Sequence, residues 1–258
     1  MRSTKSAWFL ATILLLCGGM LRGQAPAAPP AAAPQAVPVR GEPRHHLAFE
    51  NGYVRVFAVE VAPHDATLLH EHALDYVYVT LGTADIVNAV FGKPEVHAQL
   101  KDGEVHFARG GFAHVARNLS DLPFRNLTIE FLKPQGEVHN LCEKIVPGDA
   151  GPCEKVQGKG HVTTPLMETA EMRIELVRLD PQAQKIEMAP GTGTLVAALE
   201  QAGIEVESEG QPPASIATGG LLWLPAGSRQ VFSNLRNTPA NFLRIAFKDS
   251  GAQETTVH

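Results

Sequence analysis

From Tyr53 onward the chain alternates. Tyr53–Pro63 (YVRVFAVEVAP), Asp75–Gly82 (DYVYVTLG), Glu104–Gly111 (EVHFARGG) and Phe124–Lys133 (FRNLTIEFLK) are short runs rich in β-branched and aromatic residues. Spacing of two puts successive side chains on opposite faces of a strand. Gly, Pro, Asn and Asp break these runs at roughly regular intervals. Many short strands with such punctuation predict an all-β sandwich or barrel. Helical periodicity is scarce. Thr192–Gly203 (TGTLVAALEQAG) is the best candidate and reads equally well as a strand.

The pattern occurs twice. Gly103–Lys133 aligns with Gly219–Lys248, matching Gly103 to Gly219, Gly111 to Gly227, His114 to Gln230 and Asn118 to Asn234. Upstream, YVRVFAVEVAP ending at Pro63 resembles EMRIELVRLDP ending at Pro181. A tandem duplication of one β unit follows, with units at 44–135 and 168–250 joined by a Gly- and Pro-rich segment at 136–167.

Ahead of the first unit the texture differs. Residues 1–23 carry Arg2 and Lys5, an apolar run from Ala7 to Cys17, and then small residues. That is the layout of a secretory signal peptide, too short and wrongly flanked to span a membrane. Export to the periplasm or outside the cell is expected, with a lipoprotein anchored through Cys17 as the alternative. Residues 24–43 read as a linker, and 12 of the 15 residues in 24–38 are Ala or Pro, which leaves nothing to bury. Removing the signal leaves Cys142 and Cys153 of the three cysteines. An even pair in an oxidising compartment predicts one disulfide.

Composition adds exclusions. With 22 basic and 27 acidic residues and no basic run, nothing suggests nucleic acid. No other segment is apolar for long enough to cross a membrane as a helix. A small-molecule substrate or ligand is the expected partner, with a homodimer through the sheets as a further possibility.

Chemistry concentrates in the first unit. His70 and His72 (HEH) point to the same side of a strand, which is how a strand offers two imidazoles to one ion. Gly103, Arg109, Gly111, His114 and Asn118 follow at spacings that, with His70, His72, Asp75 and Gly82, resemble the cupins. Their first motif is G-x5-H-x-H-x3–4-E-x6-G and their second G-x5-P-x-G-x2-H-x3-N. Arg109 stands in place of the proline and Asp75 in place of the glutamate, after a loop one residue short. The resemblance implies two tandem cupin (double-stranded β-helix, jelly-roll) barrels. It also implies one divalent transition metal (Fe, Mn, Ni, Cu or Zn) in the first, held by His70, His72, His114 and Asp75. Asp75 would share the barrel-facing side with Val77, Val79 and Leu81, putting Tyr76 and Tyr78 outside. His106 and Arg109 are candidates for groups that orient ligands or face substrate. Arg44-His45-His46 reads as a solvated entry, His64 as a turn residue, and the NLS and NLT at Asn118 and Asn126 as sequons, the former by chance. The second unit has Met188, Pro190, Gly193 and Gln230 at the ligand positions and is expected to be metal-free. The implied activity is a metal-dependent dioxygenase-like enzyme acting on a small oxygenated organic compound. A non-catalytic sugar- or metabolite-binding module and a metal-dependent isomerase or lyase are the alternatives.

Overall fold

The computed structural model describes residues 35–248 except 143–144, 147–149, 189–192 and 200–202. The expected signal peptide, Cys17, the Ala/Pro run up to residue 34, and Pro190 lie outside the described residues.

The alternating runs are strands. The first barrel comprises Val37–Pro38 (β1), His45–Glu50 (β2), Val54–Val61 (β3), His70–His72 (β4), Tyr76–Leu81 (β5), Ala84–Val90 (β6), Val96–Leu100 (β7), Val105–Ala108 (β8), Phe112–Asn118 (β9) and Phe124–Phe131 (β10). They form two sheets, ordered β1-β4-β9-β6-β7 and β2-β3-β10-β5-β8. The second barrel comprises Val138–Asn140 (β11), Val156–Gly158 (β12), His161–Thr169 (β13), Met172–Leu179 (β14), Ile186–Met188 (β15), Thr194–Ala198 (β16), Gly203–Ser208 (β17), Ala214–Ala217 (β18), Leu221–Leu224 (β19), Gln230–Asn234 (β20) and Ala240–Phe247 (β21). Its sheets run β11-β13-β14-β21-β16-β19, with β12 on β13, and β15-β20-β17-β18. The ambiguous stretch at 192–203 is thus a strand over Thr194–Ala198. Among the described residues no helix is long and apolar enough to cross a membrane.

The strands extend past the expected unit boundaries. β1, within the expected linker, pairs in parallel with β4, and Val39 just beyond it is buried in the core. β11, within the expected connector, and β13, which begins in it, pair with each other, and β13 with β14. Both cases follow from edge strands seeking backbone partners, whatever their side chains.

Three apolar clusters organise the molecule. One fills the first barrel around Phe57, Val61, Ile86 and Phe124, and a second fills the other barrel around Ile204, Val206, Phe232 and Phe242. The largest joins them. Val77, Val79, Leu127, Ile129 and Phe131 of the first barrel meet Leu166, Ile174, Leu195, Leu243 and Ile245 of the second. The middle strands β10 and β5 of the sheet β2-β3-β10-β5-β8 are therefore buried on both faces. This reverses the expected parity of β5. Val77, Val79 and Leu81 face the second barrel, and Tyr76 and Tyr78 face into the first. An apolar row marks burial, not which buried side it lies on.

The repeat holds atom by atom. Asn118 donates from Nδ2 to Val61 O, Ala62 O and Leu122 O and accepts from Ser120 N. Asn234 likewise donates to Asp180 O and Thr238 O and accepts from Arg236 N. Each side chain closes the same turn. Asn118 is buried, so its sequon is a coincidence of sequence, and Asn126 is buried as well. Gly103 and Gly219, at φ 74° and 72°, supply the left-handed turn that enters each corresponding strand.

Cys142 and Cys153 are bonded to each other. Closing a loop of this size contributes about 3 kcal/mol in the chain-entropy model. Denaturant unfolding with and without reductant should show a loss of about that size, leaving the first-barrel site intact. Ile129→Ala, on the shared core, should cost roughly 2–5 kcal/mol in the same assay.

Candidate metal centre

β4 is three residues long, with His70 and His72 buried and Glu71 exposed between them. Its antiparallel register with β9 sets His70 directly opposite His114, within reach of each other across the strands. Ring centroids lie 4.4 Å apart for His70–His114, 5.1 Å for His70–His72 and 5.5 Å for His72–His114. The three imidazoles from two separated segments therefore meet.

A fourth joins them. His45, at the start of β2, lies 4.7 Å from the His70 ring and 5.7 Å from the His72 ring. Among the described residues, His45, His70 and His72 form the group whose ligand atoms all fall within 4.8 Å of one another. The expected solvated entry at 44–46 is thus half wrong. His46 is exposed, but His45 is buried. The signal that could have found it is Glu42 three residues earlier, a carboxylate placed to hold an inward imidazole.

Each ring is fixed from behind through Nδ1. His45 donates to Glu42 Oε2 (2.7 Å), His70 to Leu68 O (2.9 Å), His72 to Glu130 Oε1 (3.3 Å) and His114 to Asn88 Oδ1 (2.8 Å). Protonation of Nδ1 leaves the lone pair on Nε2, facing inward. The Nε2 atoms of His70 and His114 are buried without a hydrogen-bond partner. Leaving such atoms unsatisfied costs ~1–3 kcal/mol each. Buried, converging, electron-rich nitrogens with no proton to share fit a divalent cation. Tyr76 stacks on His72, centroids 4.2 Å apart, and fixes its tilt.

Two buried carboxylates stand behind the rings. Glu130, on β10, also accepts from Arg55 Nη1 at 2.9 Å. Burial alone would raise the Glu42 carboxyl, but hydrogen bonds from His45, Leu68 N and Arg44 N bring it down to about 2. Burial holds His70 down at about 4, aided by the neighbouring imidazoles, and His114 at about 2. His72 is lowered for the same reason. The rings of His70, His72 and His114 are therefore neutral, as ligation requires.

Asp75 is elsewhere. Its carboxylate accepts from Arg109 Nη1 (2.9 Å), Gly110 N (3.1 Å) and Gln135 N (3.3 Å), and Arg109 also donates to Gly136 O. The pair bolts the β4–β5 and β8–β9 loops to the connector. Parity explains the departure, since Asp75 lies on the Val77–Val79 side of the strand, toward the second barrel. Gly110 packs so closely on Ala73 and Leu74 that a Cβ there would sit 2.6 Å from their backbone, which keeps the loops in contact. The repeat agrees. Phe131 N donates to Asp75 O, and Phe247 N to Gly193 O. Gly193 lies against Trp223 with no room for a side chain.

Arg109 does not line the central cavity. His106 reaches it only through Tyr78, on which it stacks at 4.8 Å while bonded to Glu104. His64 is an exposed turn residue at φ 56°, bonded to Asp121. Sequence reasoning missed Glu42, Asn88, Glu130 and the inward tyrosines. The cavity itself is small, about 50 Å³, with Tyr76, Tyr78, Asn126 and Thr128 on one side and Val59, Ile86 and Phe124 among its apolar wall. Burial pushes both phenols above their usual range, so they stay protonated at neutral pH.

In the second barrel Met188 pairs with Gln230, as His70 pairs with His114. Met188 joins an apolar cluster. Gln230 is fully buried, with neither amide atom partnered.

No protein-family model matches the chain, and no curated protein matches its sequence. Solved structures do resemble it. AerE from Microcystis aeruginosa has a TM-score of 0.57 at 13% identity, over 81% of this chain and 99% of that one. Salicylate 1,2-dioxygenase from Pseudaminobacter salicylatoxidans has a TM-score of 0.54 at 13% identity, over 76% and 71%. Oxalate decarboxylase of Bacillus subtilis, a protein with Mn(II) centres, has a TM-score of 0.52 at 14% identity, over 78% and 70%. At such identities the likeness is one of fold.

Burial of neutral rings ties stability to pH. The unfolded chain takes up protons near 6.5, which His70, at about 4, refuses in the folded state. Stability is thus complete above 6.5 and falls as the pH drops from there toward 4. Glu42, lowered from 4.5 to about 2, adds a further loss below 4.5. Urea unfolding of chelator-treated protein should show a flat plateau above pH 6.5 and a decline beneath it, shallower in His70→Gln.

Proposed function

Starting from the bicupin fold that the chain shares with these structures, we propose that it is an exported metal-dependent oxygenase of a small oxygenated organic compound. A divalent transition metal is held by His70, His72 and His114. The observation carrying this reading is the pair of buried, unpartnered Nε2 atoms on His70 and His114, each on a ring fixed through Nδ1. Export is supported by the disulfide, which persists in oxidising compartments. When bound, such an ion supplies a Lewis acid that polarises a substrate oxygen and, if redox-active, a centre for dioxygen chemistry.

The residues around it do the rest. Val59, Ile86 and Phe124 exclude water from one side of the cavity, which strengthens every polar contact inside. The hydroxyl groups of Tyr76 and Tyr78 and the Asn126 amide supply polar contacts for a substrate oxygen. The cavity, about 50 Å³, admits only the few atoms nearest the histidines, since a drug-sized ligand fills about 300–1,000 Å³. A larger compound would project from the mouth. That size also favours a second reading, a lyase acting on a short acid without net oxidation.

Apoprotein loaded anaerobically with Fe(II), Mn(II), Ni(II) or Cu(II) should be offered catechols, flavonols and short dicarboxylic acids on an oxygen electrode with product analysis. Oxygen uptake with product is the expected result, lost in His114→Ala together with most bound metal. Turnover without oxygen would select the lyase, and tight binding without turnover a non-catalytic module.

A further inference from the structure

We propose that His45 is a fourth metal ligand, standing where the first motif leads one to expect the carboxylate of Asp75. The inference rests on the metal reading above. His45 belongs to neither motif and comes from β2, in the opposite sheet from β4. Its side chain is 5% exposed, and it lines the same cavity as His70, His72 and His114. Its ligand atoms fall within 4.8 Å of those of His70 and His72.

A histidine buried only for packing would need little more than its edge contact with Phe57, centroids 6.0 Å apart. Much more is built around this one. Glu42 takes Nδ1–H of His45 on Oε2, the same oxygen that accepts Arg44 N, while Oε1 accepts Leu68 N at 3.0 Å. Leu68 O in turn accepts Nδ1–H of His70. A single strut, His45–Glu42–Leu68–His70, thus fixes two rings from opposite sheets relative to each other. Fixing the rear nitrogen of a ring is how proteins orient a ligand. Asp75, the alternative fourth donor, has both oxygens occupied by the loop clamp. The ligand shell is then four imidazoles, with the carboxyl groups of Glu42 and Glu130 one hydrogen bond behind it.

The test counts nitrogens. Full-length exported protein loaded with one equivalent of Cu(II) should give pulsed EPR signals from four imidazoles, and three would overturn the proposal. His45→Gln should show three, with Kd from chelator competition weakened at least ~10-fold. Glu42→Gln should weaken it ~10–100-fold, and Asp75→Asn should change neither reading. Unaltered metal affinity in His45→Gln would sink the assignment while leaving the metal site standing. Failure of the unaltered protein to take up any of the tested ions would instead remove the site itself. Should His45→Gln not fold, as judged by circular dichroism, the nitrogen count of the unaltered protein decides alone.

Discussion

Four imidazoles converge inside the first barrel because each is gripped at its far nitrogen by an oxygen. Glu42, Leu68 O, Glu130 and Asn88 each set one tautomer and one tilt. Without those acceptors, neutral histidines in an apolar interior would turn to share protons with one another, and burial would lose its purpose. With them, the Nε2 atoms of His70 and His114 are left buried and without a partner, their lone pairs directed into the barrel. The surrounding sheets exist, in this sense, to hold four oxygens still.

The fold was legible in the sequence because strands report themselves through period two and turns through Gly and Asn. Gly103 and Asn118 recurred as Gly219 and Asn234 with the same backbone conformation and the same bonds. That His70, His72 and His114 come together was legible too, since parity on β4 and the spacing to His114 are local facts. What escaped was everything that depends on which side of a doubly buried sheet a residue faces. Val77 and Val79 look like a barrel interior and are instead the contact with the other barrel. From that one inversion came the misplacement of Asp75, Tyr76 and Tyr78. His45 escaped for a different reason, since nothing in a lone imidazole of an RHH run reveals that β2 folds back over β4.

The second barrel shows the same scaffold without the histidines. Turn glycines and the bracing asparagine remain, while Met188 and apolar neighbours fill the interior. Backbone geometry and the histidine set are thus separable parts of the repeat. Gln230 keeps a polar group at the His114 position, buried and with neither amide atom partnered.

β10 carries both jobs along one strand. Asn126, Thr128 and Glu130 look toward the histidines, while Leu127, Ile129 and Phe131 look toward the other barrel. Because interiors pack as tightly as organic crystals, a shift on one side of that strand is carried through to the other. The second barrel, packed against that strand through the shared core, is therefore the back wall of the histidine cluster.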